Sequence, residues 1–283
     1  MRLESHQYAP RARTVPKPSG APGVRYFMLR ASLVLCLLAP VSGFAQNTSL
    51  SITSAADVSA GISAEGLATA TGSGLAGETA SAQSSPWPTT LGGVTVQVQD
   101  SGSVVRQAGL LFVSPGQINF QIPAGTALGP AAVTIVNGGA RTTMIVPVQP
   151  VAPALFAVNA QGIAAATAVG IAIPTGDGFP IPVFQCGDTA QSCQLVALDP
   201  GLDRPVYLSF YATGIRGRSG LSNVTVKMGP VTVAPIYAGA QGQFAGLDQI
   251  NVPLVLSLRG SGVVNVTVTA DGATSNPVKI SVK

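Results

Sequence analysis

The chain has 283 residues, of which 46% are apolar and only 9% charged, with 33 glycines and 22 prolines. So few charges exclude a disordered, self-repelling chain and a coiled coil, and so many helix breakers exclude an all-helical protein. The formal charge of +4 belongs to the first 45 residues, where Arg2, Arg11, Arg13, Lys17, Arg25 and Arg30 face Glu4 alone; the near-neutral remainder offers no footprint for a nucleic-acid backbone.

Residues 1–45 read as a signal peptide with an upstream extension. Arg25 and Arg30 precede an apolar run over residues 31–39, followed by Pro40 and the small-residue stretch Ser42-Gly43-Phe44-Ala45. Gly43 and Ala45 occupy the −3 and −1 positions of a cleavage site before Gln46. The run is shorter than the ~20 residues a membrane span needs, so the mature chain is expected to have no span. An N-terminal anchor is the competing reading. Either Met1 or Met28 can serve as the start. Cys36 lies within the apolar run behind bulky Leu35, which argues against lipidation. The expected location is secreted or at the cell surface, in the periplasm or outside the cell.

Beyond the leader, a G-x-G-x-x-G pattern at Gly72-Ser73-Gly74-Leu75-Ala76-Gly77 lacks the context of a dinucleotide site, because Pro86 and Pro88 follow where a helix would be needed. Strands are expected over residues 94–99 and 118–122, where apolar and polar residues alternate with period two. Residues 133–136 run into the turn Asn137-Gly138-Gly139 and return through residues 142–148. The Ala-rich stretch 162–174 alternates at Val169, Ile171 and Ile173 and reads as a strand. Cys186 and Cys193 make an even pair in an exported chain, and a disulfide stapling a hairpin end is expected. A pair of free thiols is the alternative; zinc would need histidines nearby. Strands at residues 264–269 and 278–282 flank Asp271-Gly272.

The only histidine, His6, lies in the leader, which removes histidine-based nucleophilic catalysis and ordinary zinc catalysis from the exported part. Asp177, Asp188, Asp199 and Asp203 cluster in sequence, but each adjoins glycine, proline or a turn and reads as a turn aspartate. Asp199 and Asp203 as calcium ligands form a minor alternative. Gly217-Arg218-Ser219-Gly220 lacks the spacing of a nucleophile elbow.

The sequence also repeats itself. Gln117-Ile118-Asn119-Phe120 recurs as Gln249-Ile250-Asn251-Val252, and Val94-Thr95-Val96 as Val224-Thr225-Val226. Gly74-Leu75-Ala76-Gly77 matches Gly214-Ile215-Arg216-Gly217, and the hairpin at 133–140 matches 266–273. Four echoes in one order predict an all-β protein with two copies of a β-sandwich module of about 100 residues. The expected division is 46–150 for the first copy and 151–283 for the second, with residues 151–196 donating early strands. The amides of Gln117, Asn119, Gln249 and Asn251 are expected to tie down loop backbone. The loop at 239–246, with Gln241, Gln243 and Phe244, is the candidate recognition loop.

The runs Pro88-Thr89-Thr90-Leu91-Gly92-Gly93-Val94 and Val113-Ser114-Pro115-Gly116-Gln117-Ile118-Asn119-Phe120-Gln121-Ile122-Pro123 resemble the Solibacter-type C-terminal module of secreted acidobacterial proteins. Tyr211-Ala212-Thr213-Gly214-Ile215-Arg216-Gly217 and Tyr237-Ala238-Gly239-Ala240-Gln241-Gly242-Gln243 agree. The resemblance spans about residues 50–283 and implies two tandem immunoglobulin-like β-sandwich domains after the signal peptide, with no assigned activity. The expected function is a non-catalytic module for extracellular or cell-surface binding, adhesion or assembly, without catalytic residue, metal or cofactor, whose partner is an extracellular protein or glycan. Two alternatives stay open: a carbohydrate-binding module, which would need an exposed aromatic platform, and an aspartate-dependent hydrolase.

Overall fold

In the computed structural model, residues 50–201 and 204–283 are described. The expected signal peptide and cleavage site, Cys36 and both candidate starts lie outside the described residues, as does Asp203. The described chain is all-β. Its helical content is three short 3-10 turns, Ala190–Ser192, Leu221–Asn223 and Leu256–Leu258, and no helix among the described residues is long and apolar enough to cross a membrane.

Period-two alternation sets the strands. In Val94–Gln99 the valines are buried while Thr95 and Gln97 stay half-exposed, so one face enters the core and the other meets water. Nine strands frame the N-terminal half: β1 (Ser51–Ser54), β2 (Ile62–Ser63), β3 (Leu67–Thr71), β4 (Val94–Gln99), β5 (Val105–Gln107), β6 (Gly109–Val113), β7 (Gln117–Gln121), β8 (Gly129–Asn137) and β9 (Ala140–Gln149). Nine more frame the C-terminal half: β10 (Ala166–Ile171), β11 (Ala197–Leu198), β12 (Val206–Thr213), β13 (Val224–Met228), β14 (Val231–Val233), β15 (Tyr237–Ala240), β16 (Asp248–Leu254), β17 (Gly262–Ala270) and β18 (Val278–Val282). The stretch read as a strand over 162–174 is therefore β10.

The two sets pair alike. One sheet runs β1-β3-β7-β6 and its counterpart β10-β12-β16-β15; the other runs β2-β9-β8-β4-β5 and its counterpart β11-β18-β17-β13-β14. All these pairs are antiparallel except β2 with β9, in register Ile62↔Val148, and β11 with β18, in register Leu198↔Val282. Each half closes over its own apolar core in a sandwich-like arrangement. One core gathers Ile118, Phe120, Val96 and Val133, the other Ile250, Phe210, Val226 and Val266. The echoed sequences fall on equivalent elements: Gln-Ile-Asn on β7 and β16, and the Gly74 and Gly214 stretches just after β3 and β12. The turns at 138–139 and 271–272 hold positive φ at Gly138, Gly139, Asp271 and Gly272, as a tight hairpin requires.

The segment before β12 supplies β10 and two additions. Ala154–Leu155 pairs with β12, while Phe184–Gln185 and Gln194–Leu195 form a hairpin whose end is closed by the Cys186–Cys193 disulfide. The half-cystine at Cys193 is buried and that at Cys186 exposed. An unreduced proteolytic digest is expected to contain the linked peptide, with neither thiol alkylated. Closing so short a loop is expected to stabilise the fold by about 2–3 kcal/mol on the chain-entropy account.

The halves meet through polar contacts around Thr213 and Arg216. Thr213 Oγ1 accepts from the Leu67 N–H at 2.7 Å and donates to the Gly246 carbonyl at 3.0 Å. Arg216 Nε donates to buried Asp248 Oδ1 at 2.7 Å, another Arg216 nitrogen reaches the Leu247 carbonyl at 2.9 Å, and Glu65 of the N-terminal half lies 3.6 Å away. Burial pushes the Asp248 carboxyl up, against the pull of the Ile215 N–H and Arg216. Asp100, at a turn in the N-terminal half, shows the opposite balance. The N–H groups of Ala127 and Val104, with Arg106, hold it at about 2. Unlike the aspartates read from the sequence as turn residues, Asp100 and Asp248 are buried structural acceptors.

Candidate functional site: the outward amide rows

A β-strand turns alternate residues to opposite faces, so Gln and Asn two apart on β7 and on β16 share the solvent side while Ile118 and Ile250 fill the cores. Cross-strand register then builds a row around each asparagine. In the N-terminal half Thr53, Thr69, Asn119 and Phe112 are successive neighbours on β1, β3, β7 and β6. In the C-terminal half Thr167, Ser209, Asn251 and Tyr237 take the same places. A hydroxyl, a second hydroxyl, an amide and an aromatic ring recur in that order.

The amides are arranged alike too. Gln117 Nε2 donates to Asn119 Oδ1 at 2.8 Å, and Gln249 Nε2 donates to Asn251 Oδ1 at 2.8 Å. Thr69 Oγ1 adds a donor to Asn119 at 3.1 Å. The expected ties from these four amides to loop backbone are not formed. Each glutamine instead meets the asparagine two residues on, because their side chains rise from one face at about 7 Å separation along the strand. In both halves the glutamine Oε1 and asparagine Nδ2 are left without a partner among the described residues. Each row therefore offers an acceptor beside a donor, and none of its members carries a charge at neutral pH.

The loop at 239–246 is built differently from the expected recognition loop. Gln241 Oε1 accepts from the Gln243 N–H at 2.9 Å and the Phe244 N–H at 3.2 Å, so this amide folds back on its own loop. Gln241 Nε2 reaches Gln243 Oε1 at 3.5 Å. Phe244 is 59% exposed, whereas Gly246 at the base of the loop packs against Leu67 of the other half. The base of the loop belongs to the junction between halves, and only its tip faces solvent.

Asp177 and Asp188 lie in exposed turns or loops. Asp199 accepts from the Gly201 N–H at 3.0 Å and from Arg259 at 3.2 Å; the Gly201 bond is the main reason its carboxyl lies below the usual range. Among the described residues no cluster of three or more metal-ligating side chains occurs. The glycines at 72–77 form a loop, with the Leu75 N–H donating to Pro115. Trp87 packs beside Gly109, which pairs with Gln121 in the N-terminal sheet.

Sequence reasoning missed the tyrosines. Tyr207 and Tyr211 face outward on β12, either side of Ser209, and Tyr237 faces outward on β15 opposite Asn251. The alternation of β12 carried a signal for the first two. The third joins them only through the pairing of β15 with β16. No family model and no curated protein matches the chain.

Proposed function

We propose that the chain is an exported, non-catalytic binding and assembly module of two tandem immunoglobulin-like β-sandwiches, residues 46–150 and 151–283, of the Solibacter-type C-terminal kind. The strand order supports the fold: a sheet ordered β1-β3-β7-β6 against one containing β9-β8-β4 corresponds to the ABED and GFC grouping of immunoglobulin domains, and the C-terminal half repeats it. The disulfide suits an oxidising compartment outside the cytosol.

The observation that carries the function is the outward row held in both halves. Solvent-facing positions are the least constrained by packing, so two copies that keep the same hydroxyl, amide and aromatic placement there point to a surface used for contact. The described aspartates support a non-catalytic reading, because Asp100 and Asp248 serve the fold and Asp177, Asp188 and Asp199 sit at turns or loops. The purified exported chain is expected to be retained on fragments of its own cell envelope and to turn over no glycoside, ester or peptide. Asp177→Asn, Asp188→Asn, Asp199→Asn and Asp203→Asn are each expected to shift stability by no more than about 0.5 kcal/mol. A reproducible activity abolished by one of these four changes would promote the aspartate-dependent hydrolase instead.

A further inference from the structure

We infer that the outward face of β10, β12, β16 and β15 is a platform for a neutral polysaccharide, a reading that rests on the binding-module proposal and gives it a ligand class. Tyr207, Tyr211 and Tyr237, which are all the tyrosines among the described residues, stand on this one face. Tyr207 and Tyr211 are four residues apart on a strand, about 13 Å, and Tyr237 lies two strands from Ser209, about 10 Å away. The three rings surround Ser209, Gln249 and Asn251 and mark out a surface long enough for several linked sugars.

The chemistry of the face matches a sugar on both counts. A pyranose presents C–H groups on its flat sides, which pack on aromatic rings, and hydroxyl pairs at its rim, which both donate and accept. Gln249 Oε1 and Asn251 Nδ2, an acceptor beside a donor, fit two adjacent hydroxyls, one donating and one accepting. Tyr237 is held by its hydroxyl, which donates to the Ala240 carbonyl, so this ring is fixed before a ligand arrives.

Charge selects the class. The outward positions of the four strands are Thr167, Val169 and Ile171; Tyr207, Ser209 and Tyr211; Gln249, Asn251 and Pro253; and Tyr237 and Gly239. None of these side chains is ionisable at neutral pH; the Arg218 guanidinium lies at the Gly239 end, on the same side as the Tyr237 hydroxyl. An uncharged, hydrogen-bonding face suits an uncharged polyhydroxyl ligand. An acidic polymer would lose solvation without gaining a row of cations. The equivalent face of the N-terminal half keeps the amides but carries Leu67 and Thr71 where the C-terminal half has Tyr207 and Tyr211.

The test is sedimentation of the purified exported chain with insoluble cellulose, xylan, mannan, starch, β-1,3-glucan and chitin, with alginate gel as the acidic comparison. Retention on at least one neutral polymer, release by its soluble oligosaccharide and no retention on alginate are expected. Tyr237→Ala and Asn251→Ala are each expected to weaken retention about fivefold. Thr225→Ala, on the opposite sheet, is expected to stay within about twofold, and melting curves for all three variants should overlay that of the unsubstituted chain. Tyr207→Ala provides a second aromatic deletion should Tyr237→Ala unfold. Absence of retention on every neutral polymer, or equal retention of both aromatic deletions, would overturn the inference. Binding to envelope fragments that survives glycan removal but is lost on protease treatment would assign the face to a protein partner, overturning the glycan platform while leaving the binding module intact. Cleavage of a retained polymer would instead overturn the non-catalytic reading itself.

Discussion

Replacing Asp248 by alanine is expected to cost the fold about 3–5 kcal/mol, read as a lowered urea midpoint with an unchanged denaturant slope. Asp248 is fully buried and accepts from the Ile215 N–H at 3.0 Å and from Arg216 at 2.7 Å. The substitution strands both donors in a site that water does not reach. Asp248→Asn, which keeps the shape and an acceptor, is expected to lose about half as much. A loss below about 1 kcal/mol for the alanine variant would show that Arg216 finds compensation elsewhere.

The pH dependence follows from the same group. Burial raises the carboxyl, so the folded chain holds this proton more tightly than the unfolded chain does. The contribution of its neutral form is complete below the unfolded value and fades as pH rises through the folded one. Asp100 acts in the other direction. Its contribution is present above the ordinary carboxylate value of about 3.9 and is lost as pH falls through about 2.

Gly214→Ala is expected to destabilise the chain by about 3 kcal/mol or more, whereas Gly74→Ala, at the echoed position, should cost about 1 kcal/mol. Both glycines hold positive φ, at 85° and 68°. Nothing lies within 4 Å of a methyl group built on Gly74, so only backbone strain opposes that change. A methyl group on Gly214 would overlap the Ala152 carbonyl, in the segment that joins the halves and whose Ala152 N–H donates to the Gly214 carbonyl at 2.8 Å. The difference between the two melting curves isolates that packing from the strain. Equal losses would mean that the joining segment yields freely.

Much of the architecture was legible because it is local. Alternation marked residues 94–99 and 118–122 as half-buried strands, which the structure forms at Val94–Gln99 and Gln117–Gln121, and Asn137-Gly138-Gly139 marked a tight turn. The Gln-Ile-Asn echo predicted two equivalent strands, and β7 and β16 occupy equivalent places in their sheets. What stayed hidden depends on residues far apart in sequence. Asp248 is buried because Arg216 and the Ile215 N–H arrive from the turn after β12, and no pattern beside Asp248 announces them. Tyr237 joins Tyr207 and Tyr211 only once β15 is set in register on β16 and β16 on β12. The mutual amide bond could have been read from the two-residue spacing alone, since such neighbours on a strand share a face.

The two parallel pairings, β2 with β9 and β11 with β18, have a mechanical consequence. In each half an early strand lies alongside the last one, pointing the same way. Tension drawing the start of a half away from its end would pull these strands past one another, and the bonds between them would be sheared together. A hairpin pulled at its two ends would open bond by bond and resist far less. Each pairing spans only two residues, joined in the C-terminal half by a parallel bridge between Ile163 and Lys279, so the two in series would give a tethered chain a modest threshold before either core is exposed.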